Sequence, residues 1–344
     1  MSNMHMFFDI APETYKTWCT EHNLPSYTLG QVNDWVCNKH VIDIDKMTNL
    51  SKKTRDYLSQ HLCVNPFQNI QTLPASDGSA TKYIFQIEPH IFIEAVAIQE
   101  KGYQTLCISS QAGCPVDCKF CLTGVSGLKK NLTITEIVAQ LAIILSKGHP
   151  ITHVVFMGMG EPLLNLKSVL PAIDWLQSDW GFNLSKRYIT VSTAGYLAGI
   201  QQLIDQEIAL NLAFSVGNAN PSKRLSLMPI EERNPILEVA QKLSMYGKQH
   251  NRKFTLEYTL LKGVNDGTDD ATALANLATF LKAKVNLINL NPHPKIPFQP
   301  VSHAQLMQFK QQLLDQKVRT TVRYSKGQDV VAACGQLGES NLTA

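Results

Sequence analysis

From Thr105 onward, segments rich in β-branched and aromatic residues alternate with segments of helical periodicity, and this alternation limits the fold more than any other feature of the chain. "TLCISS", "THVVFMG", "RYITVST", "IALNLAFS", "KFTLEYTLL", "KVNLINLNP" and "RTTVRYS" read as strands. Helices are expected between them. The firmest is "LTITEIVAQLAIILSKG", where Thr133 and Glu136 form a capping box, Ile137, Leu141, Ile144 and Leu145 make an apolar face, and Gly148 marks the end. Others are expected around Val169 to Leu176, after Asn234 and Pro235, near Asp269 to Lys282, and near Ala304 to Leu314. Repeated βα units predict a parallel sheet with helical crossovers, either open and doubly wound or curled into a barrel. In a barrel, the residues that follow each strand share one face, where active sites form. Every unusual stretch falls at such a place: a cysteine-rich loop after "TLCISS", then "GMGEP", "STAG", "SVGN" and "NPHP". One catalytic mouth accounts for all five.

Residues 1–60 read as a helical unit, with Leu29, Val32, Trp35 and Val36 at helical spacing and a capped helix beginning near Asn49 or Ser51. Residues 61–100 turn β-rich in "KYIFQI" and "IFIEAVAI", and a domain boundary is expected between these regions. The βα series is assigned to 101–325 and a mobile tail to 326–344. A chain of 344 residues, 44% hydrophobic, supplies a substantial core. No apolar run approaches the roughly 18 residues of a membrane span. The first residues lack a charged n-region and a long apolar stretch, so a reducing cytoplasm is the expected compartment. The net charge of +3 excludes no partner class. Lys52, Lys53 and Arg55, Lys129 and Lys130, Lys186 and Arg187, and Lys223 and Arg224 are candidates for phosphate contacts or for solvated surface charge.

Four of the eight cysteines lie within the fifteen residues from Cys107 to Cys121. Where thiols stay reduced, such crowding points to metal binding or chemistry rather than a disulfide framework. Cys114, Cys118 and Cys121 form CxxxCxxC, and three thiolates can hold three irons of a [4Fe-4S] cluster while the fourth iron stays open. A zinc site with Cys107 as fourth ligand is the alternative. Cys19, Cys37 and Cys63 fit no motif and are expected to be ordinary core or surface thiols.

CxxxCxxC directly after the first strand of a βα series, with Phe120 before the last cysteine, resembles the radical S-adenosylmethionine (SAM) superfamily. "GMGEP", Gly158 to Pro162, is similar to its methionine-binding motif, in which glycines let backbone carbonyls approach an ammonium group and Glu161 adds a compensating charge. A narrower resemblance spans almost the whole chain. "CISSQAGCPVDCKFC", "GLKKNLT", "MGMGEPLLN", "RLSLMPI", "LLKGVNDG" and "AACGQLGES" resemble, in order and spacing, the RlmN and Cfr family of radical RNA methyltransferases. The resemblance implies an α/β fold built on a partial (β/α)6 TIM-like barrel of the radical SAM type, with a small N-terminal helical accessory domain that binds RNA. It implies a [4Fe-4S] cluster on Cys114, Cys118 and Cys121. It also implies SAM as methyl donor and radical source, contacted by Gly160, Glu161, Ser192, Ser215 and Asn291.

The family chemistry further implies roles for two cysteines outside the cluster motif. Adenine C2 and C8 are not nucleophilic, so a radical route is needed. Cys334, by its place in "AACGQL", takes a methyl group, a hydrogen is removed from the resulting thioether, and the carbon radical adds to the base. Glu94 stands at the family's proton-acceptor position, and Cys107 closes onto the methylated sulfur, leaving a disulfide. Gly327, Gly335 and Gly338 are expected to let the tail move between steps. The implied reaction is methylation of adenosine C2 in 23S ribosomal RNA, with a tRNA adenosine as second candidate substrate and a flavodoxin-type electron donor. "GEPLLN" favours this reading over Cfr-type methylation at C8. A metal-stabilised RNA-binding protein without catalysis is the alternative of another class. One departure stands out: where family members commonly carry SLHA, this chain has Ser215, Val216, Gly217 and Asn218, so glycine replaces the histidine. Asn218 is expected to supply a hydrogen bond from the next position, and His293 reads as a loop hydrogen bonder.

Overall fold

The computed structural model describes residues 4–338. At the N-terminus, β1 (His5–Met6), α1 (Tyr15–Glu21), α2 (Thr28–Asn33), α3 (Lys52–His61) and β2 (Leu62–Cys63) form a small unit closed by parallel β1–β2 pairing. Beyond α2 the chain continues through one π-helical turn, Asp34–Asn38, so that Leu29, Val32 and Val36 share the core while Trp35 stays half-buried. The Ser51 hydroxyl caps α3 by accepting the Thr54 N–H at 3.1 Å, at the expected start.

Next come β3 (Asn69–Pro74), β4 (Ala80–Glu88), β5 (Ile91–Glu100) and β6 (Tyr103–Cys107). The cysteine loop follows, pinched at its neck by antiparallel β7 (Gln111–Ala112) and β8 (Lys130–Asn131) and enclosing the short α4 (Leu122–Val125). The alternating series is α5 (Ile134–Ser146), β9 (Ile151–Phe156), α6 (Leu166–Gln177), β10 (Ile189–Thr193), α7 (Leu197–Asp205), β11 (Asn211–Ser215), α8 (Pro221–Leu227), α9 (Ile236–His250) and β12 (Thr255–Leu260). It ends with α10 (Thr268–Phe280), β13 (Lys284–Asn289), α11 (His303–Asp315) and β14 (Thr320–Arg323).

One ten-stranded sheet runs β14-β13-β12-β11-β10-β9-β6-β5-β4-β3. From β6 to β14 the neighbours are parallel, six strand–helix units and a final strand, which is the partial (β/α)6 barrel expected for the family. The antiparallel strands of the 61–100 segment continue the same sheet, because Cys107 pairs with Val96 on one side and Val155 on the other. Among the described residues, no helix is long and apolar enough to cross a membrane.

The capping box of α5 forms as expected: Thr133 accepts the Glu136 N–H at 3.2 Å and Glu136 accepts the Thr133 N–H at 2.8 Å. The helix is buried well beyond its predicted apolar face, from Thr135 to Leu145. An N-terminal arm covers it, with Asp9 accepting from the Thr135 N–H and hydroxyl at 3.2 and 2.9 Å and Phe8 packing on Trp175 of α6. Buried Gln140 then clasps Ser109, accepting its N–H at 2.9 Å and donating to its carbonyl at 3.0 Å, which fixes the chain just before the cysteine loop. The start of α9 differs from expectation. Glu231, rather than Asn234, accepts the Ile236 N–H at 3.0 Å, while Asn234 accepts the Leu197 N–H at 2.8 Å ahead of α7. Three of the basic residues considered for phosphate contact are engaged internally. Lys130 pairs with Glu88 and Glu136, Lys223 with Asp270, and fully buried Arg224 with Glu231.

Candidate active site

The loops after the parallel strands meet around a cavity of about 170 Å³. Cys114, Cys118 and Cys121 line it together with Gly160, Glu161, Ser192, Ser215 and Cys334, so eight of the expected site residues share one space. The cysteine loop is shaped by short local bonds. Cys121 N–H donates to the Cys118 carbonyl at 3.0 Å, and Asp117, at φ 55°, turns the chain between the first two cysteines and pairs with Lys119. Val116, Leu122, Leu227 and Met228 pack beside it as a separate apolar cluster.

Burial pushes the Cys114 thiol up to about 12 and, with Cys121 and Cys114 nearby, drives Cys118 well above its ordinary range. Cys114 and Cys118, both held up in this way, ionise readily only beside compensating positive charge. That donor set suits a thiolate-ligated iron cluster. Among the described residues, no three Cys, His, Asp or Glu side chains converge tightly enough for a single metal ion. A cluster gives each thiolate its own iron and spreads its ligands. Cys107, the fourth ligand of the zinc alternative, lines an adjoining cavity instead.

Gly160 explains part of "GMGEP" differently from ammonium contact. At φ +102° it runs so close to Gln111 that a Cβ would lie 2.6 Å from the Gln111 Cβ, so glycine is required for loop-to-loop packing first. Glu161 accepts from Ala194 N–H at 2.7 Å and Leu163 N–H at 3.2 Å, joining this loop to "STAG". Burial nevertheless raises its carboxyl to about 7. A carboxyl held more tightly protonated in the folded state contributes stability below its ordinary value, and that contribution disappears as pH rises to about 7. Glu161→Gln is therefore expected to flatten the stability–pH profile of the metal-free protein between pH 5 and 7.5. Thermal melts of both proteins across that range check it, and parallel profiles contradict it.

Ser192 and Ser215, on adjacent β10 and β11, present their hydroxyls 3.3 Å apart. At the position of the missing histidine, Gly217 has φ +68°, and a Cβ would meet Met228 Sδ at 2.3 Å. Buried Met228 thus fills the volume of the absent side chain. Gly217→Ala is expected to cost about 1–3 kcal/mol, from overpacking plus left-handed backbone strain, measured by urea denaturation. The expectation for Asn218 is corrected: it is fully buried and donates to Asp270 at 2.8 Å, away from the cavity. His293 accepts the Lys295 N–H at 3.2 Å within its loop, as expected.

Cys334 belongs to two cavities at once. The second, smaller one also holds Cys107, Arg323, Met157, Glu100 and Lys326. The tail around Cys334 is docked: Asn291 donates to the Cys334 carbonyl at 2.9 Å, Leu122 N–H to the Gly335 carbonyl at 2.8 Å, and Thr123 to the Leu337 carbonyl at 2.7 Å. Asn291 thus contacts the tail and does not line the main cavity. Residues 339–344 of the tail lie outside the described residues. The disulfide between Cys107 and Cys334 is not formed, and all eight cysteines are free thiols. Cys19 and Cys37 are buried and Cys63 is half-buried. Burial and the neighbouring Cys334 push Cys107 up to about 12, against the opposing effect of Arg323.

Glu94 lies outside both cavities. It is buried in β5 and pairs with Lys82 at 2.9 Å, and Lys82 also donates to the Val331 carbonyl at 3.1 Å. Lys82 and Arg323 are residues that sequence reading missed. Lys82 sits in a strand where a charged side chain reads as solvent-facing. A charged residue at the C-terminal end of a barrel strand, as in "RTTVRYS", was the available signal for Arg323.

Comparison with known proteins agrees with this geometry. Residues 108–275 match the model of the radical SAM superfamily, and residues 7–64 match that of the ribosomal RNA large subunit methyltransferase N-terminal domain. The chain is 41% identical over 336 residues to an Aquifex aeolicus protein named probable dual-specificity RNA methyltransferase RlmN, covering 96% of each. It is 40% identical over 342 residues to the dual-specificity RNA methyltransferase RlmN of Dichelobacter nodosus, covering 96% of this chain and 93% of that one. A radical SAM methyltransferase from Sphaerobacter thermophilus superposes with a TM-score of 0.91 at 36% identity, covering 96% of this chain and 98% of that one. With the thiol-lined mouth, the parallel barrel and these full-length matches in agreement, the chain belongs to the RlmN family of radical SAM methyltransferases, whose members use a [4Fe-4S] cluster and SAM.

Proposed function

We propose that this protein methylates C2 of an adenosine in 23S ribosomal RNA, and of a tRNA adenosine, through a methyl group first carried on Cys334. The observation that carries the reading is the place of Cys334 between two cavities, one lined by the CxxxCxxC cysteines and the other by Cys107. When bound, the cluster and SAM supply a methyl group and a 5′-deoxyadenosyl radical. Cys114, Cys118 and Cys121 would hold the cluster, with Gly160, Glu161, Ser192 and Ser215 toward SAM and Asn291 positioning the tail.

The chain's own residues then act in order. The Cys334 thiolate accepts the methyl group, one carbon–sulfur bond forming as the donor's breaks. Loss of a hydrogen atom from that S-methyl group leaves a carbon radical that adds to adenine C2. The adduct gives up one electron, which the bound cluster would accept, and loses the C2 proton to Glu94. Cys107 attacks the Cys334 sulfur, a sulfur–sulfur bond forms, and the carbon–sulfur electron pair leaves on the methylene carbon, which takes a proton to become the methyl group. A two-electron reductant returns the disulfide to thiols. Buried Glu94 becomes accessible to RNA when the tail, tied to its partner Lys82 through Val331, lifts. The N-terminal unit, with exposed Lys52 and Lys53 on α3, is assigned to RNA binding, and a flavodoxin-type protein to electron supply.

The test is anaerobic turnover with methyl-labelled SAM, reductant and an unmodified 23S rRNA fragment, followed by digestion to nucleosides. Label in 2-methyladenosine supports the reading. Label in 8-methyladenosine moves the chain to Cfr-type regiochemistry, and unlabelled RNA overturns the RNA assignment.

A further inference from the structure

Arg323 is the last residue of β14, at the mouth of the barrel, and it lines both cavities that share Cys334. Among the described residues, no other lysine or arginine lines the larger cavity. Its Nη1 donates to Met157 Sδ at 3.5 Å, and Met157 follows β9, the strand paired with β6 at Cys107. The guanidinium is thereby held beside both thiols.

The groups that face it come from several elements. Cys107 approaches from β6, Cys334 from the tail, Glu257 from β12 and Glu100 from β5. Glu100 has a cation of its own, Lys326 at 2.8 Å. Glu257 is nearly fully buried; Asn286 donates to its Oε1 at 3.0 Å, and its Oε2 has no hydrogen-bond partner. The surroundings hold the Arg323 proton more tightly than water does, and Cys334 contributes most to that effect, ahead of Glu257 and Cys107. A guanidinium suits this setting because it stays charged at every working pH, unlike a lysine, which can lose its proton when desolvated.

We propose that Arg323 is a positioning residue that serves as shared counter-ion to the two thiols, pairing with the Cys334 thiolate as it accepts the methyl group and with the Cys107 thiolate as it closes on the methylated sulfur. This rests on the carrier and resolving roles assigned above. In the first step the Cys334 thiol proton goes to solvent, and the guanidinium balances the resulting anion until the new carbon–sulfur bond neutralises it. In the second step the Cys107 proton leaves in the same way, and the charge passes to the departing methylene carbon. One fixed cation thus serves two successive thiolates, with Glu257 among the charges that face it while neither is ionised. A purely structural role for Arg323 makes a different prediction: thiol reactivity does not depend on it.

The experiment uses full-length, cluster-reconstituted protein under anaerobic conditions. Iodoacetamide labelling of Cys334 and Cys107 is followed by peptide mass spectrometry from pH 6 to 10 for wild type, Arg323→Met and Arg323→Lys. The expected result is roughly tenfold slower labelling of Cys334 at pH 7.5 in Arg323→Met, with its midpoint moved up by about one pH unit, and substantial recovery in Arg323→Lys. Equal midpoints in wild type and Arg323→Met overturn the proposal. If Arg323→Met does not fold, Glu257→Gln decides: it frees the guanidinium for the thiols and lowers the midpoint, whereas an unchanged midpoint overturns the proposal. Methyl-labelled SAM added to the same wild-type sample separates the two layers. An unmethylated Cys334 overturns the carrier reading, while a methylated Cys334 with Arg323-independent labelling overturns the Arg323 role alone.

Discussion

Cys334→Ala protein is expected to bind the cluster and cleave SAM yet leave RNA unmethylated, with a loss of at least about a thousandfold. Among the described residues, the substitution removes the one thiol that lines both cavities. Cys107 cannot stand in for it, because it is buried in β6 and does not line the main cavity. Folding should survive, since a half-buried cysteine becomes an alanine of similar size and the surrounding tail bonds use backbone carbonyls. Deoxyadenosine and labelled nucleoside, quantified from one reaction, check the prediction. Full methylation by the variant would contradict the carrier role.

Arg224→Met is expected to destabilise the fold by about 3–5 kcal/mol, a large part of the ~5–15 kcal/mol typical of a domain. Arg224 has no exposed surface. Its guanidinium donates to the Val216 carbonyl at 2.9 Å and the Ala194 carbonyl at 2.6 Å, and it pairs with the Glu231 carboxylate that caps α9. One side chain therefore ties "STAG", "SVGN" and the entry to α9 together. Its removal strands a buried carboxylate and two carbonyls, the case in which breaking an ion pair costs most. Lys223→Ala next to it removes a half-exposed lysine, while buried Asp270 keeps its bonds from Asn218 and the Gly267 N–H, and should cost less, about 1 kcal/mol. Urea denaturation of the two variants checks the contrast.

Those two neighbours show where sequence reading stops. Lys223 and Arg224 look alike as adjacent basic residues, and only the placement of α8 beside the loops after β10 and β11 sends one outward and the other into the interior. Local features were legible: the Thr133–Glu136 box, the Ser51 cap and the strand-end position of every motif depend on residues close in sequence. Features made by distant segments were not. The broad burial of α5 depends on Asp9 and Phe8, more than a hundred residues earlier. The continuity of β5 with the barrel depends on the Val96–Cys107 register, which no spacing encodes. The site followed the same division. Cys114, Cys118, Cys121 and Cys334, which line one cavity, stand out by motif, whereas Lys82 beside Glu94 and Arg323 in the cavities of Cys334 are brought there by tertiary structure. Asn218 was misjudged because its bond to Asp270 crosses 52 positions.

The most direct test of the central claim is the deuterium content of the methyl group delivered from SAM carrying a trideuterated methyl. Transfer through Cys334 removes one deuterium from the thioether and replaces it with a solvent proton at release. The account therefore predicts two deuteriums in the adenosine methyl group and one in deoxyadenosine. Three deuteriums in the product, with none in deoxyadenosine, would mean that the methyl group moves intact and would contradict it.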